Sequence, residues 1–323
     1  MSNIDEEITI RLPVEIKEQL QISARLNDRS LNDELNTRLI NSFSIAFTSN
    51  QKHILNELRE LFKNYQDSNR LTETSSRLQR LLEEGNQLPR LPKLRPSHIA
   101  YALGYEKASI VEAWFEGCIE PTFKELLQIA EFYGCQKDWL YFGGSTPFKP
   151  NKLPTFDSFD KLVNFMATSD EPHGTLRKVY LIRQDDLTGN LGIIKQHGDW
   201  SCQFYTTDIF LNDCLNDNNA YDTAFFTLAI HALRLDKISL QCQTKAQYLG
   251  YSIDAVSFQR LLSGEEHPLK IIQNGNCNEW CFKILNMAHG FQKHHWSNSE
   301  AFYKKNLDFI NNNPYLQDIY QSI

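Results

Sequence analysis

Residues 7–13 read EITIRLP, and VEIKEQLQISARL follows them at 14–26. In the first stretch Ile8, Ile10 and Leu12 alternate with Glu7, Thr9 and Arg11. That period of two marks a strand with one buried face. Pro13 ends the strand and suits the first turn of a helix. In the second stretch Val14, Ile16, Leu20, Ile22 and Leu26 fall roughly on one face of an amphipathic helix. Asn27 and Asp28 stop it. Ser30 then caps a second helix, with Asp33 in the place of a capping-box Glu. Leu31, Leu35, Leu39, Ile40 and Phe43 supply its apolar stripe. A lone strand is not stable by itself, but two copies paired antiparallel across a dyad over four helices are.

Working outward, residues 48–96 read as a helical spacer and connector. Ile54, Leu58, Leu61 and Tyr65 make one stripe, and Leu71, Leu78, Leu81 and Leu82 another, with 72–84 also suited to supporting the helices that follow. Pro89, Pro92 and Pro96 mark the connector. Residues 97–145 read as all-helical, and a Pro-bearing linker runs from Thr146 to Pro154. Beyond it KVYLIR (178–183), 191–195 and 202–206 read as strands, with Thr188, Gly189 and Asn190 as a turn. A buried helix is expected at 224–235, and helical signals dominate from there to the end. The predicted class is mainly α and multidomain: an N-terminal module at 1–47, a central all-α module, and a C-terminal α+β domain at 155–323.

Residues 6–43 resemble the Arc-type ribbon-helix-helix repressors over their whole length. The segment NDRSLNDELNTRLINSF (27–43) completes the likeness, with the family's Arg-Ser-x-Asn at Arg29, Ser30, Leu31 and Asn32. The resemblance places the family's buried ion-pair triad on Arg29, Glu34 and Arg38. The resemblance implies a homodimer whose two-stranded ribbon enters the major groove of double-stranded DNA. With Ile8, Ile10 and Leu12 inward, Glu7, Thr9 and Arg11 face outward. Arg11 matches guanine O6 and N7, Thr9 suits a polar edge or a thymine methyl, and Glu7 accepts from cytosine N4. Glu7 departs from the family's neutral amide and repels phosphate. Ser30, Leu31 and Asn32 open the second helix, where backbone N–H groups hold a phosphate.

Residues 97–142 are similar to the Cro and lambda-repressor helix-turn-helix class, through SHIAYALGY (97–105), SIVEAWFEG (109–117) and EPTFKELLQIAEFYGCQKDWLYFG (120–143). Ile99, Ala100 and Leu103 match its packing positions. Val111 and Trp114 anchor the recognition helix, and Gly104 and Gly117 permit the turns. The exposed recognition positions fall on Lys107, Ala108, Ser109, Glu112 and Ala113. The turn is one residue longer than the usual pattern, and these side chains are short or acidic. DNA reading and self-association or partner binding are both open for this module.

The chain has 323 residues and a formal net charge of −7, which argues against indiscriminate binding to nucleic acid or membranes. Segment 1–47 carries five Lys/Arg against eight Asp/Glu, 95–142 four against seven, and only 48–94 is basic, with eight against six. Seven cysteines, an odd number, and an N-terminus without an apolar leader point to a reducing cytosolic location. No apolar run is long enough for a membrane span.

Three groups invite chemistry. Cys277, Cys281, His289, His294 and His295 resemble a zinc set, but the Cys281–His289 spacing is short for a finger; a partly buried helix before a surface loop explains them as well. Asp185, Asp186, His197, Asp199 and Asp208 suit a nuclease-like carboxylate site or plain turn chemistry. AQYLGYS (246–252) with LLSG (261–264) echoes ALGY (102–105) with FEG (115–117), as a degenerate repeat or by chance. No cofactor, metal or enzymatic role is expected. The expected function is transcriptional repression. The alternative is a protein-binding inhibitor or antitoxin whose C-terminal half engages the target.

Overall fold

The computed structural model describes residues 11–44, 69–88, 92–169, 174–212, 217–234, 246–278, 280–283, 285 and 296–323. The chain divides into two compact units, 1–67 and 68–323.

The first unit is a helical hairpin of α1 (Val14–Leu26) and α2 (Leu31–Ser44). α1 ends in a Schellman arrangement. Asp28 takes the left-handed region at φ +48°, while Arg29 N–H donates to the Ala24 carbonyl at 2.9 Å and Asp28 N–H to that of Arg25 at 3.3 Å. Ser30 caps α2 by accepting from Asp33 N–H at 3.1 Å. Its hydroxyl donates to the Asp33 carboxylate at 2.6 Å, so Asp33 reaches the cap's side chain rather than its backbone. Leu20 and Ala24 are buried, whereas Val14, Ile22 and Leu26 are largely exposed.

The second unit begins with five helices: α3 (Asn69–Asn86), α4 (Pro96–Ala102), α5 (Ser109–Phe115), α6 (Phe123–Tyr133) and α7 (Lys137–Phe142). Leu78 and Leu81 of α3 join Ile99, Val111, Trp114, Leu126, Ile129 and Leu140 in one core. α3 is therefore a wall of this bundle rather than a spacer ahead of it. The connector after it is also anchored, because the Asn86 side chain exchanges two hydrogen bonds with the Leu94 backbone, at 3.1 and 2.7 Å.

A six-stranded mixed sheet follows, in the order β1-β4-β3-β2-β5-β6. Its strands are β1 (Asn151–Lys152), β2 (Lys178–Gln184), β3 (Asn190–Gln196), β4 (Cys202–Phe210), β5 (Gln247–Ile253) and β6 (Asn276–Asn278). β2, β3 and β4 form an antiparallel meander. Helix α9 (Asp217–Arg234) carries the chain over to β5, which lies parallel to β2. One face holds Val179, Leu181, Leu191 and Ile193 beneath α8 (Phe159–Ala167), α9, α13 (Ser299–Asn312) and α14 (Pro314–Ser322). The other holds Tyr180, Ile182, Ile194 and Phe204 beneath α10 (Ala255–Ser263) and α11 (Pro268–Ile272). Both faces are covered, which is why KVYLIR is almost unbroken in hydrophobicity. A four-residue helix, α12 (Trp280–Lys283), lies between β6 and α13.

The bundle and the sheet fall within one compact unit, 68–323, in which the regions expected as domains at 97–145 and 155–323 pack on each other. Trp200, in the β3–β4 turn, packs with both the bundle core and the second sheet face, and stacks on Phe132 at 5.5 Å. The Lys270 ammonium lies 3.1 Å from Glu84 of α3 and 3.0 Å from Glu266. The expected linker is built in as well: Phe148 is buried and its N–H donates to the Gly264 carbonyl at 2.8 Å. β5 and β6 were not expected as strands; each is completed by its neighbour in the sheet, which local sequence does not specify.

Candidate nucleic-acid interface

In the first unit Arg11 is exposed and Leu12 half-buried at the entry to α1. Glu7 and Thr9, and with them most of the expected strand, lie outside the described residues. Ser30 and Asn32 are exposed where α2 begins, although the Ser30 hydroxyl is already engaged in the cap.

At the α1–α2 turn a carboxylate is buried. Glu34 is 3% exposed and accepts from Ser23 Oγ at 2.7 Å, Asn27 Nδ2 at 3.3 Å and Arg38 Nε at 3.0 Å. The Arg29 guanidinium lies 3.8 Å away. The Ser23 hydrogen bond, then that of Arg38, holds the Glu34 carboxyl below the usual carboxylate range. The network ties the first turns of α2 to the last turn and C-cap of α1, so it braces the turn that leads into Ser30 and Asn32. Arg29, Glu34 and Arg38 do converge here, joined by Ser23 and Asn27. Ser23 was not singled out from sequence, and Asn27 only as the residue that stops α1; both sit at the α1 end that meets α2.

In the second unit Val111 and Trp114 are buried and pin α5 to the bundle, with Tyr105 packed edge-to-face on Trp114 at 5.4 Å. Lys107, Ser109 and Glu112 are exposed, and Ala108 and Ala113 half-buried. Ser109, Glu112 and Ala113 share a helix face at i, i+3 and i+4, and Lys107 and Ala108 stand just before the helix. Gly104 and Gly117 both take the left-handed region, at φ +78° and +70°, which favours glycine in the flanking turns. Tyr101, on α4, is 87% exposed and was not anticipated. The signal was available, since Tyr101 falls between the packed positions Ile99–Ala100 and Leu103 and so points outward.

Among the described residues the other candidate clusters do not assemble. Asp186 accepts from Thr188 N–H, Thr188 Oγ1 and Gly189 N–H, at 2.9, 2.6 and 3.2 Å, and from Gln184 Nε2. Partial burial opposes its ionisation, but these bonds hold its pKa below the ordinary value. That is the turn chemistry of the β2–β3 connection. Asp199 pairs with Arg177 at the opposite end of β2, roughly 20 Å away by strand rise. Asp208 pairs with Lys152 on the sheet edge, and His197 is buried. Cys277 lies on β6 and Cys281 on α12, not on one continuous helix, while His289, His294 and His295 lie outside the described residues. Among the described residues no group of three or more His, Cys, Asp or Glu is placed to hold a metal ion. Residues 247–253 form a strand, so the echo of ALGY is not a structural repeat. Among the described residues no helix is long and apolar enough to cross a membrane.

Residues 2–45 match the family of Arc-like DNA binding domains. No curated protein and no solved structure matches the chain. The N-terminal segment is thus similar to DNA-binding modules of ribbon-helix-helix type.

Proposed function

We propose that this protein is a sequence-specific transcriptional repressor that binds double-stranded DNA as a homodimer, in the cytoplasm or nucleoid. The observation that carries the reading is the match of residues 2–45 to Arc-like DNA binding domains, together with the Glu34 network that braces the α1–α2 turn just before Asn32. Two N-terminal segments pair as a ribbon in the major groove. Arg11 reads guanine, Thr9 and Glu7 contribute at neighbouring base pairs, and the α2 N-termini at Ser30 and Asn32 hold phosphates. The α4–α5 pair, similar to the Cro and lambda-repressor class, extends the footprint through Lys107, Ala108, Ser109, Glu112 and Ala113. Joining two reading heads in one chain raises affinity through effective concentration.

Electrophoretic mobility shift on the DNA upstream of the gene tests this. The full chain is expected to bind in the nanomolar range, with affinity falling steeply as salt rises. Arg11→Ala is expected to weaken binding by at least about 10-fold, since each protomer loses a bidentate base contact of about 1–3 kcal/mol. Binding that Arg11→Ala leaves unchanged refutes the ribbon reading.

A second reading is favoured by one observation: both reading heads are acidic, each with three more Asp/Glu than Lys/Arg over 1–47 and 95–142. Under it the modules serve self-association, and the C-terminal half inhibits a protein target. Activity would then survive Arg11→Ala and be lost when the sheet is disrupted.

A further inference from the structure

The charges of the helical bundle are sorted by element. Residues 106–142 hold seven Asp/Glu against three Lys/Arg, whereas 93–105 hold two Lys/Arg, one His and no Asp/Glu. The acid-free stretch is α4 with the segment that leads into it. Leu94 of that segment is buried, and the Asn86 side chain holds both its N–H and its carbonyl. Lys93 and Arg95, on either side of it, are exposed. His98 and Tyr101 are exposed on α4 and follow Arg95 at intervals of three, so the three neighbour one another along its outer face. His98 Nδ1 accepts from Arg95 N–H at 3.1 Å, so the ring hydrogen sits on Nε2. Ion pairs with Glu120, Glu73 and Glu265 engage Arg70, Arg77 and Arg80 of α3. Among the described residues none engages Lys93 or Arg95.

We propose that this stripe of Lys93, Arg95, His98 and Tyr101 docks on the phosphate backbone of double-stranded DNA, so that the second unit adds affinity through the outer face of α4 without reading bases. The inference rests on the DNA-binding reading above and names the surface that carries it in this unit. Charge complementarity selects the occupant. Each of the four side chains can donate a hydrogen bond: an ammonium, a guanidinium, a ring N–H and a phenol O–H. Phosphate oxygens accept, and Lys, Arg and Tyr are among the side chains that make backbone contacts. Tyr101 is 87% exposed, so its ring and hydroxyl are not spent on the bundle core. The neighbouring helix has the opposite sign. Residues 108–117 carry Glu112 and Glu116 and no Lys/Arg, so setting α5 against phosphates brings like charges together, while setting α4 there brings unlike charges together. The anchored Leu94 holds Lys93 and Arg95 in place before any DNA arrives, which lowers the ordering cost of the contact.

The test is fluorescence anisotropy of the full chain on two duplexes of equal length, the DNA upstream of the gene and a scrambled copy, across about 50–200 mM salt. Lys93→Gln with Arg95→Gln is expected to weaken binding to both duplexes by a similar factor, at least about 5-fold, and to lower the slope of log affinity against log salt by about one for each cation a bound protomer loses. Tyr101→Ala should weaken both duplexes with the slope unchanged, which a change in long-range charge does not do. Lys124→Gln with Lys137→Gln removes the same charge from exposed sites on α6 and α7 and should leave binding near native. Circular dichroism melting confirms that each variant is folded. If the α4 variants bind like the native chain, or the α6 and α7 pair weakens binding as much, the proposal falls, the repressor reading stands, and an acidic protein segment becomes the occupant to test. A loss confined to the upstream duplex overturns it too, because phosphate contacts carry no sequence information. A native chain that binds both duplexes equally, and loses both in the α4 variants, keeps the proposal and refutes sequence-specific repression. A native chain that binds neither overturns both.

Discussion

Gly134 tests whether the helical bundle and the sheet are one body. It ends α6 at φ +68°, and a Cβ there would lie 2.5 Å from the Cys202 carbonyl oxygen and 2.8 Å from its amide nitrogen. Gly104 has nearly the same conformation, φ +78°, but nothing within 4 Å of its Cβ position. Alanine at either site incurs the left-handed conformational penalty of about 1–2 kcal/mol. Only Gly134→Ala adds a collision with the backbone of β4, which cannot rotate aside as a side chain would. Forcing such a shift costs about 1–3 kcal/mol. The expected losses are about 1–2 kcal/mol for Gly104→Ala and about 2–5 kcal/mol for Gly134→Ala. Any gain from a less flexible unfolded chain is common to both variants and cancels in the comparison. The assay is urea unfolding followed by tryptophan fluorescence. All five tryptophans lie at or beyond Trp114, so the signal reports on the second unit alone. Equal destabilisation of the two variants, within about 0.5 kcal/mol, would mean that α6 does not rest on β4. Two separate unfolding transitions would refute the single body in the same way.

His267 is fully buried, with Nε2 2.9 Å from the Trp200 carbonyl, and burial pushes its pKa down from 6.5 to about 4. Its folded pKa is depressed, so its contribution is complete above about pH 6.5 and is lost as pH falls towards 4, about 3 kcal/mol in all. His267→Gln should flatten the stability–pH curve in that window, and an unchanged slope refutes the assignment. Glu34 is lowered chiefly by the Ser23 hydrogen bond, so its contribution is present above the ordinary carboxylate pKa of 4.5 and is lost as pH falls below it. Glu34→Gln should remove that acid-sensitive phase from the circular dichroism of the N-terminal unit. Lys270 bridges Glu84 and Glu266, and a double-mutant cycle of Lys270→Met with Glu84→Gln should show a coupling of roughly 1–2 kcal/mol. A coupling near zero would mean that α3 is not held to α11 through this ion pair.

Local chemistry determined much of this protein. The punctuation at Pro13, Asp28 and Ser30 delimits α1 and α2 because caps and breakers act within one turn of the chain. Val111 and Trp114 announce α5, and KVYLIR announces β2, because the spacing of apolar side chains follows backbone period. The turn at Asp186 was legible for the same reason. What local pattern does not encode is the partner. The Leu78–Leu81 stripe shows that α3 has an apolar face but not that Val111 and Leu126 cover it. AQYLGYSI becomes a strand only because β2 offers it a parallel edge, nearly 70 residues earlier in the chain. Glu84 and Lys270 meet across 186 residues, and neither carries a mark of the other. Periodicity and capping are near-neighbour effects and can be read along the chain. Burial, strand order and ion pairing depend on which distant surfaces meet, and only the tertiary structure decides that.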